Sequence, residues 1–188
     1  NGQTYSDATT HGDEHWTLAG ILEQSSNVGM IIAAEKMSNE QRYEFISKFG
    51  IGQDNGLGLP GEADGLLYSA DQWDLRTQNT VLFGQAYTTN ALQLTNAVAV
   101  IANKGVKKPQ RIIKAISDAE GHSEEQKPEG EATRVIDEQV ASQVMNAMES
   151  VSDHYSQFIK VDGYRVAAKS GTAEVAGADG RLSSIISD

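Results

Sequence analysis

The chain has 188 residues, of which 39% are hydrophobic and 6% aromatic, enough to build one domain around a real core. Its formal charge of −11 repels polyanions and so argues against nucleic acid and anionic membrane surfaces as partners, and the absence of cysteine excludes disulfides and thiol catalysis. No apolar run approaches the roughly 20 residues of a membrane helix, and the start, Asn1-Gly2-Gln3-Thr4, is neither an initiator methionine nor a signal peptide, as expected of a segment cut from a longer protein.

Residues up to about His15 are polar and read as loop. Trp16, Ala19, Ile21 and Leu22 form a short helical face that leads into Ser25-Ser26-Asn27, after which Val28, Ile31, Ile32, Ala34 and Met37 resume helical spacing, so the Ser-Ser-Asn string is placed at a helix start. Ser38 and Gln41 form a capping-box pattern before a helix filled by Arg42, Phe45, Ile46 and Phe49 and stopped by Gly50. Residues 50–65 are glycine-rich loop with a turn at Pro60-Gly61. Ala91 to Ala102 reads as a buried helix ended by Gly105. Arg111 to Ser117 reads as a strand, and the charged, proline-bearing stretch from Asp118 to Glu131 as an exposed loop. Asp137 is placed as the cap of a helix with an apolar stripe of Val140, Val144, Met145, Met148 and Val151, and Tyr164 to Val175 is placed in a β segment around Lys169-Ser170-Gly171-Thr172.

Acyl transfer from an amide needs an activated serine, donors for the tetrahedral oxyanion and groups that hold the substrate in line. In Ser25-Ser26-Asn27 a hydroxyl can relay a proton while the asparagine amide, both donor and acceptor, can hold a peptide bond. The Lys169 ammonium sets a positive potential. Ser170 and Thr172 fall on one face of a strand, where their hydroxyls suit a carboxylate, and Gly171 lets a substrate backbone come close. Strict alternation turns Lys169 to the opposite face, so it has to reach round a strand edge. Each string is weak alone, since Ser-Ser-Asn is an ordinary helix cap. Their order and residue types correspond to the second and third parts of the Ser-x-x-Lys, Ser-Asp-Asn and Lys-Thr-Gly set of penicillin-recognising enzymes. The first part is missing: no lysine in the chain has a serine three residues before it.

The chain resembles the transpeptidase domain of class B penicillin-binding proteins, the monofunctional peptidoglycan cross-linkers of elongation and division. Beyond the two strings, Gln24 to Met30 resembles the family's Ser-x-Asn helix start. Phe49-Gly50-Ile51-Gly52 with Leu59-Pro60-Gly61-Glu62 resembles its glycine-rich segment. Phe83-Gly84-Gln85, Leu92-Gln93-Leu94 and Ile101 to Gly105 resemble the long helix that follows, and Val166 to Ala173 resembles the Lys-Thr-Gly-Thr-Ala strand. The resemblance implies an α+β fold, helices packed on an antiparallel sheet in the penicillin-binding protein/β-lactamase-like manner. That fold would be incomplete over residues 1–188, because the Ser-x-x-Lys segment and the C-terminal strands and helix are missing. It implies that Ser25 relays protons, Asn27 binds the substrate, Lys169 stabilises charge, and Ser170, Gly171 and Thr172 bind the terminal carboxylate, with the Thr172 N–H in the oxyanion hole and the active cleft beside the Lys169 strand. Asn27 and Lys169 are therefore expected to converge.

Further implications are a parent that cross-links stem peptides ending in D-Ala-D-Ala, binds β-lactams, works with cell-wall synthesis partners at the extracytoplasmic face of the bacterial membrane, and uses no metal or cofactor. Ser170 stands where the family usually has threonine, and Asn90-Ala91 replaces the usual Thr-Pro before the Leu-Gln-Leu helix. With the nucleophile absent, the chain is expected to be inactive by itself and to form no penicillin adduct. A D,D-carboxypeptidase, β-lactamase or β-lactam sensor of the same fold shares the strings, and a non-catalytic scaffold domain also accommodates the missing Ser-x-x-Lys. His11 and His15, four apart, read as a solvated turn rather than a metal pair, and Asp54-Asn55-Gly56 as a tight turn rather than a calcium loop.

Overall fold

The computed structural model describes residues 3–171, 173–176 and 182–185. In chain order the helices and strands are α1 (Leu18–Gln24), α2 (Asn27–Ala33), α3 (Asn39–Lys48), α4 (Thr77–Thr80), α5 (Ala91–Ala102), β1 (Val106–Lys107), β2 (Ala115–Ser117), β3 (Ser123–Glu125), β4 (Thr133–Arg134), α6 (Glu138–His154), α7 (Ser156–Ile159), β5 (Ala173–Ala176) and β6 (Leu182–Ile185). The class is α+β. Among the described residues the strands form three antiparallel pairs, β1 with β4, β2 with β3 and β5 with β6. The described chain divides into two compact units.

The first unit comprises residues 1–44, 68–87 and 142–188. Thr17 caps α1 by accepting from the Gly20 N–H at 3.1 Å. Ser25 closes α1 in the left-handed region at φ 54°, and α2 starts two residues later from its own cap, Ser26. This sharp junction is possible because Gly29 has no side chain: a Cβ there would lie 2.9 Å from both Ile21 Cγ1 and Ser26 Oγ. The buried Arg42 of α3 ties the unit internally, donating to Gln78 O at 2.5 Å and Ala34 O at 3.0 Å. In α6 the buried positions are Ala141, Met148, Val151 and Ser152, whereas Val140 is 43% exposed. The expected stripe thus shifts by one residue at its N-terminal end, because the interior line of a helix runs through i, i+7, i+10 and i+11.

In the second unit, residues 45–67 and 88–141, α5 is organised around Gln93 and Val100, which are 1% and 0% exposed. Its Leu94 and Val98 are 55% and 46% exposed, so α5 is buried along one line rather than all round. Asn90 caps it, accepting from the Gln93 N–H at 2.8 Å. Gln93 holds the glycine-rich loop from inside: its Nε2 donates to Gln53 O and Asp64 O, both at 2.6 Å, while its Oε1 accepts from Thr89 Oγ1 at 2.9 Å. Such a buried amide is tolerable only because its donors and acceptor are satisfied. Gly105, at φ 83°, ends the α5 turn where a Cβ would come within 2.1 Å of Ile136 O.

The stretch from Asp118 to Glu131, expected as loop, contains β3, registered on β2 through Ala115↔Glu125, Ile116↔Glu124 and Ser117↔Ser123. The expected strand from Arg111 begins only at Ala115. In this register the next inward donor would be residue 128, and Pro128 has no N–H, so the ladder stops at the Gln126 N–H to Lys114 O bond. Asp54-Asn55-Gly56 is a turn in which Gly56 N–H donates to Asp54 Oδ1 at 2.8 Å.

Candidate active site

All the described candidate residues belong to the first unit. Ser25 is exposed, raised out of the α1–α2 junction by its left-handed backbone, a conformation few side chains adopt without cost. Its neighbour Ser26 is 2% exposed and serves structure: Oγ accepts from the Gly29 N–H at 2.8 Å and donates to Asp7 Oδ2 at 2.7 Å. Asn27 opens α2, and its Nδ2 donates to Ser6 O at 3.2 Å. The Asn27 side chain also lines an open surface cavity of about 360 Å³ together with Tyr5, Arg76, Phe83 and Gln85.

Lys169 reaches Ser25. Its Nζ donates to Ser25 Oγ at 2.8 Å across 144 residues of sequence, and to Ser170 O at 2.8 Å. Burial pushes the ammonium pKa down, because a half-buried cation is less well solvated than a free one. The segment carrying Lys169 is anchored by the Ala168 N–H, which donates to Met148 O of α6 at 3.2 Å, and by Arg165, whose Nη2 lies 2.8 Å from Glu149 Oε2. Lys169 to Gly171 precede β5 and belong to no strand, contrary to the β segment expected over Tyr164 to Val175. Ladder pairing begins with Ala173↔Ile185, and upstream of it the backbone bonds to a helix carbonyl instead. Ser170 and Gly171 are exposed, and a Cβ on Gly171 would meet no heavy atom of the described residues within 4 Å. Thr172 lies outside the described residues.

The structure therefore brings Ser25 and Lys169 together and places Asn27 two residues beyond Ser25. It also adds residues that the sequence had left in a polar loop. Asp7 accepts from the Val28 N–H at 3.0 Å, from Ser26 Oγ and from His11 Nε2 at 2.9 Å, so one carboxylate fastens the whole Ser-Ser-Asn turn. Burial acts to raise the Asp7 pKa, but the hydrogen bonds from Val28, Ser26 and His11 outweigh it and hold the carboxyl below its usual value. The Asp7 side chain in turn raises the pKa of His11, whose ring also packs against Trp16 at a centroid distance of 4.9 Å. Asp7 lies 19 residues from Ser26, and no local periodicity links the two. A larger cavity of about 470 Å³ beside Tyr164, Glu149 and Arg165 is lined by none of the candidate residues.

Residues 1–185 match the family model described as the penicillin binding protein transpeptidase domain. The chain is 36% identical over 182 residues to penicillin-binding protein PbpB of Mycolicibacterium smegmatis, covering 92% of this chain and 28% of that protein. It is 33% identical over 183 residues to peptidoglycan D,D-transpeptidase FtsI of Escherichia coli K12, covering 96% of this chain and 29% of that protein. The crystal structure of a peptidoglycan synthetase from Bifidobacterium adolescentis superposes with a TM-score of 0.89 at 74% identity, covering 96% of this chain and 33% of that one. The chain thus spans somewhat over a quarter of the length of these curated relatives.

Proposed function

The chain belongs to the penicillin-binding protein transpeptidase family, and from that premise we propose that it forms the substrate-holding and charge-stabilising part of a serine acyl-transfer site that cross-links peptidoglycan stem peptides. The observation that carries this reading is the Lys169 to Ser25 hydrogen bond, which joins two strings far apart in sequence into one polar constellation. The nucleophilic serine and its lysine base are supplied from outside residues 1–188, by the remainder of the transpeptidase domain, and the isolated chain is inactive. The full-length protein acts at the extracytoplasmic face of the membrane and is inhibited by β-lactams.

Ser25 Oγ receives a proton bond from Lys169, which leaves its own O–H free to be given to the departing amide nitrogen, the relay the chemistry needs. Lys169 has three donors, of which Ser25 and Ser170 take two. The third has no acceptor among the described residues and is offered to an anionic substrate group, and the lowered pKa of the ammonium eases proton exchange with Ser25. Asn27 spends its Nδ2 on Ser6 O, while its carbonyl oxygen, which takes no donor among the described residues, accepts from the substrate amide. Ser170 and Thr172 take the terminal carboxylate. Gly171 leaves room for the substrate backbone, consistent with the open space beside it. The sequence of events is attack on the penultimate D-Ala carbonyl, loss of D-Ala, and aminolysis of the acyl-enzyme by the amine of a neighbouring stem peptide.

The test uses the full-length protein with a D-Ala-D-Ala-terminated stem peptide and an amine acceptor, scored by mass spectrometry for cross-linked and hydrolysed products. A cross-linked product that falls by roughly 10²–10³-fold in Lys169→Met supports the reading. Hydrolysis alone would assign a carboxypeptidase, and neither product would assign a scaffold.

A further inference from the structure

The cavity of about 360 Å³ that Asn27 shares with Tyr5, Arg76, Phe83 and Gln85 has one charged side chain in its lining, and in a chain of net charge −11 that charge is positive. The Arg76 backbone is held at the start of α4: its N–H donates to Asp74 Oδ1 at 3.1 Å and its carbonyl accepts from the Thr80 N–H at 3.0 Å. Its guanidinium is exposed at the cavity and makes no hydrogen bond or ion pair among the described residues. Asp74 is near enough to feel the arginine's charge, but its carboxylate is engaged by backbone, with Oδ1 accepting from the Arg76 and Thr77 N–H groups at 3.1 and 2.7 Å.

A guanidinium is always charged and presents a planar fork of five N–H donors that matches a carboxylate. Here that fork is unspent, beside a cavity at the small end of the range that holds ligands. Opposite the charge the cavity has apolar surface: the rings of Tyr5 and Phe83 pack edge to face with centroids 6.4 Å apart, and the Tyr5 hydroxyl is fixed by its 2.6 Å bond to Gln3 Oε1. One cationic end and an apolar wall suit a side chain with a methylene stem and an acidic tip.

The direction of a bound acyl donor follows from the acyl-transfer reading, on which this inference rests. With the terminal carboxylate at Ser170 beside Lys169 and a donor amide on the Asn27 carbonyl oxygen, the residue before D-Ala-D-Ala continues past Asn27, and Asn27 fronts this cavity. We propose that Arg76 determines donor specificity: it selects stem peptides in which the residue before D-Ala-D-Ala has a side chain ending in a carboxylate. A neutral amide tip forgoes the charge-assisted fork, and an ammonium tip is repelled.

The test gives the full-length protein two donors with an amine acceptor: N-acetyl-lysyl-D-Ala-D-Ala with the lysine Nε succinylated, which ends in a carboxylate, and the same peptide with a succinamide tip. The carboxylate donor is expected to have a KM about three- to tenfold lower at similar kcat, since a contact remote from the scissile bond binds ground and transition state alike. Arg76→Gln should raise the KM of that donor to the level of the neutral one and leave the neutral one unchanged, Arg76→Lys should restore part of the preference, and added salt should shrink it. A smaller preference in the wild type, a preference that survives Arg76→Gln, or an equal loss of kcat for both donors overturns the proposal. Calorimetry separates it from the reading it rests on: charge-selective binding lost in Arg76→Gln with no product from either donor sinks the acyl-transfer reading alone, whereas cross-linking of both donors at equal KM sinks the role of Arg76 alone.

Discussion

Replacing Asp7 by alanine removes the single carboxylate that fastens the Ser-Ser-Asn turn, and its cost can be worked out from the three bonds it makes. The Val28 N–H is one of the orphan donors at the start of α2, and loss of a helix cap costs about 0.5–2 kcal/mol. The Ser26 hydroxyl is buried and loses the acceptor it has among the described residues, an unsatisfied donor worth about 1–3 kcal/mol. The exposed His11 contact is left out of the sum. Together these give about 1.5–5 kcal/mol, a large share of the 5–15 kcal/mol typical of a domain. Urea unfolding followed by the fluorescence of the two tryptophans, with far-UV circular dichroism as a second probe, measures it. Asp7→Asn keeps an acceptor for Val28 and should lose distinctly less. An Asp7→Ala loss within about 0.5 kcal/mol, the ordinary scatter of surface changes, would show that Asp7 does not hold the turn.

Gln93→Leu fits the volume of the α5 interior but leaves the Gln53 and Asp64 carbonyls without their donor, so urea unfolding should report a loss of about 2–5 kcal/mol, and a neutral result would sink the role given to this amide. Gly29→Ala places a methyl 2.9 Å from Ile21 Cγ1 and Ser26 Oγ, and the shift of α2 against α1 should lower stability by about 1–3 kcal/mol, with amide NMR changes centred on 25–29. The pH dependence has two signs. The depressed carboxyl of Asp7 contributes stability that is complete above about pH 4 and lost as pH falls through its folded pKa, whereas the raised pKa of His11 contributes below about pH 6.5 and is lost as pH rises through its folded value. The stability that Asp7→Asn removes should therefore be greatest between those limits, and a flat wild-type-minus-variant difference from pH 3 to 8 would contradict it.

The helices were legible where local chemistry sets them. Ser38 and Gln41 form the expected reciprocal cap, Asn90 and Gly105 bracket α5, and the Ser25 to Asn27 string does mark a helix start. The sheet parts were less legible because pairing is non-local: Ser123 to Glu125 is all polar and forms a strand only through its register on β2, and Pro128 sets the far end of that ladder. The site was legible in its residue types. The sequence held no sign that Lys169 would sit outside a strand, since its anchor is the Met148 carbonyl on a helix, nor that Asp7 would be recruited to Ser26, because a single tertiary hydrogen bond leaves no period in the sequence.

The division of labour between a substrate-holding segment and an external nucleophile is tested most directly by locating the β-lactam. The full-length protein and the 1–188 chain are each incubated with penicillin and analysed by intact mass, followed by peptide mapping. A stoichiometric adduct is expected on the full-length protein at a serine of a Ser-x-x-Lys outside residues 1–188, strongly slowed by Lys169→Met, and none on the isolated chain. An adduct on any serine within residues 1–188 would contradict it.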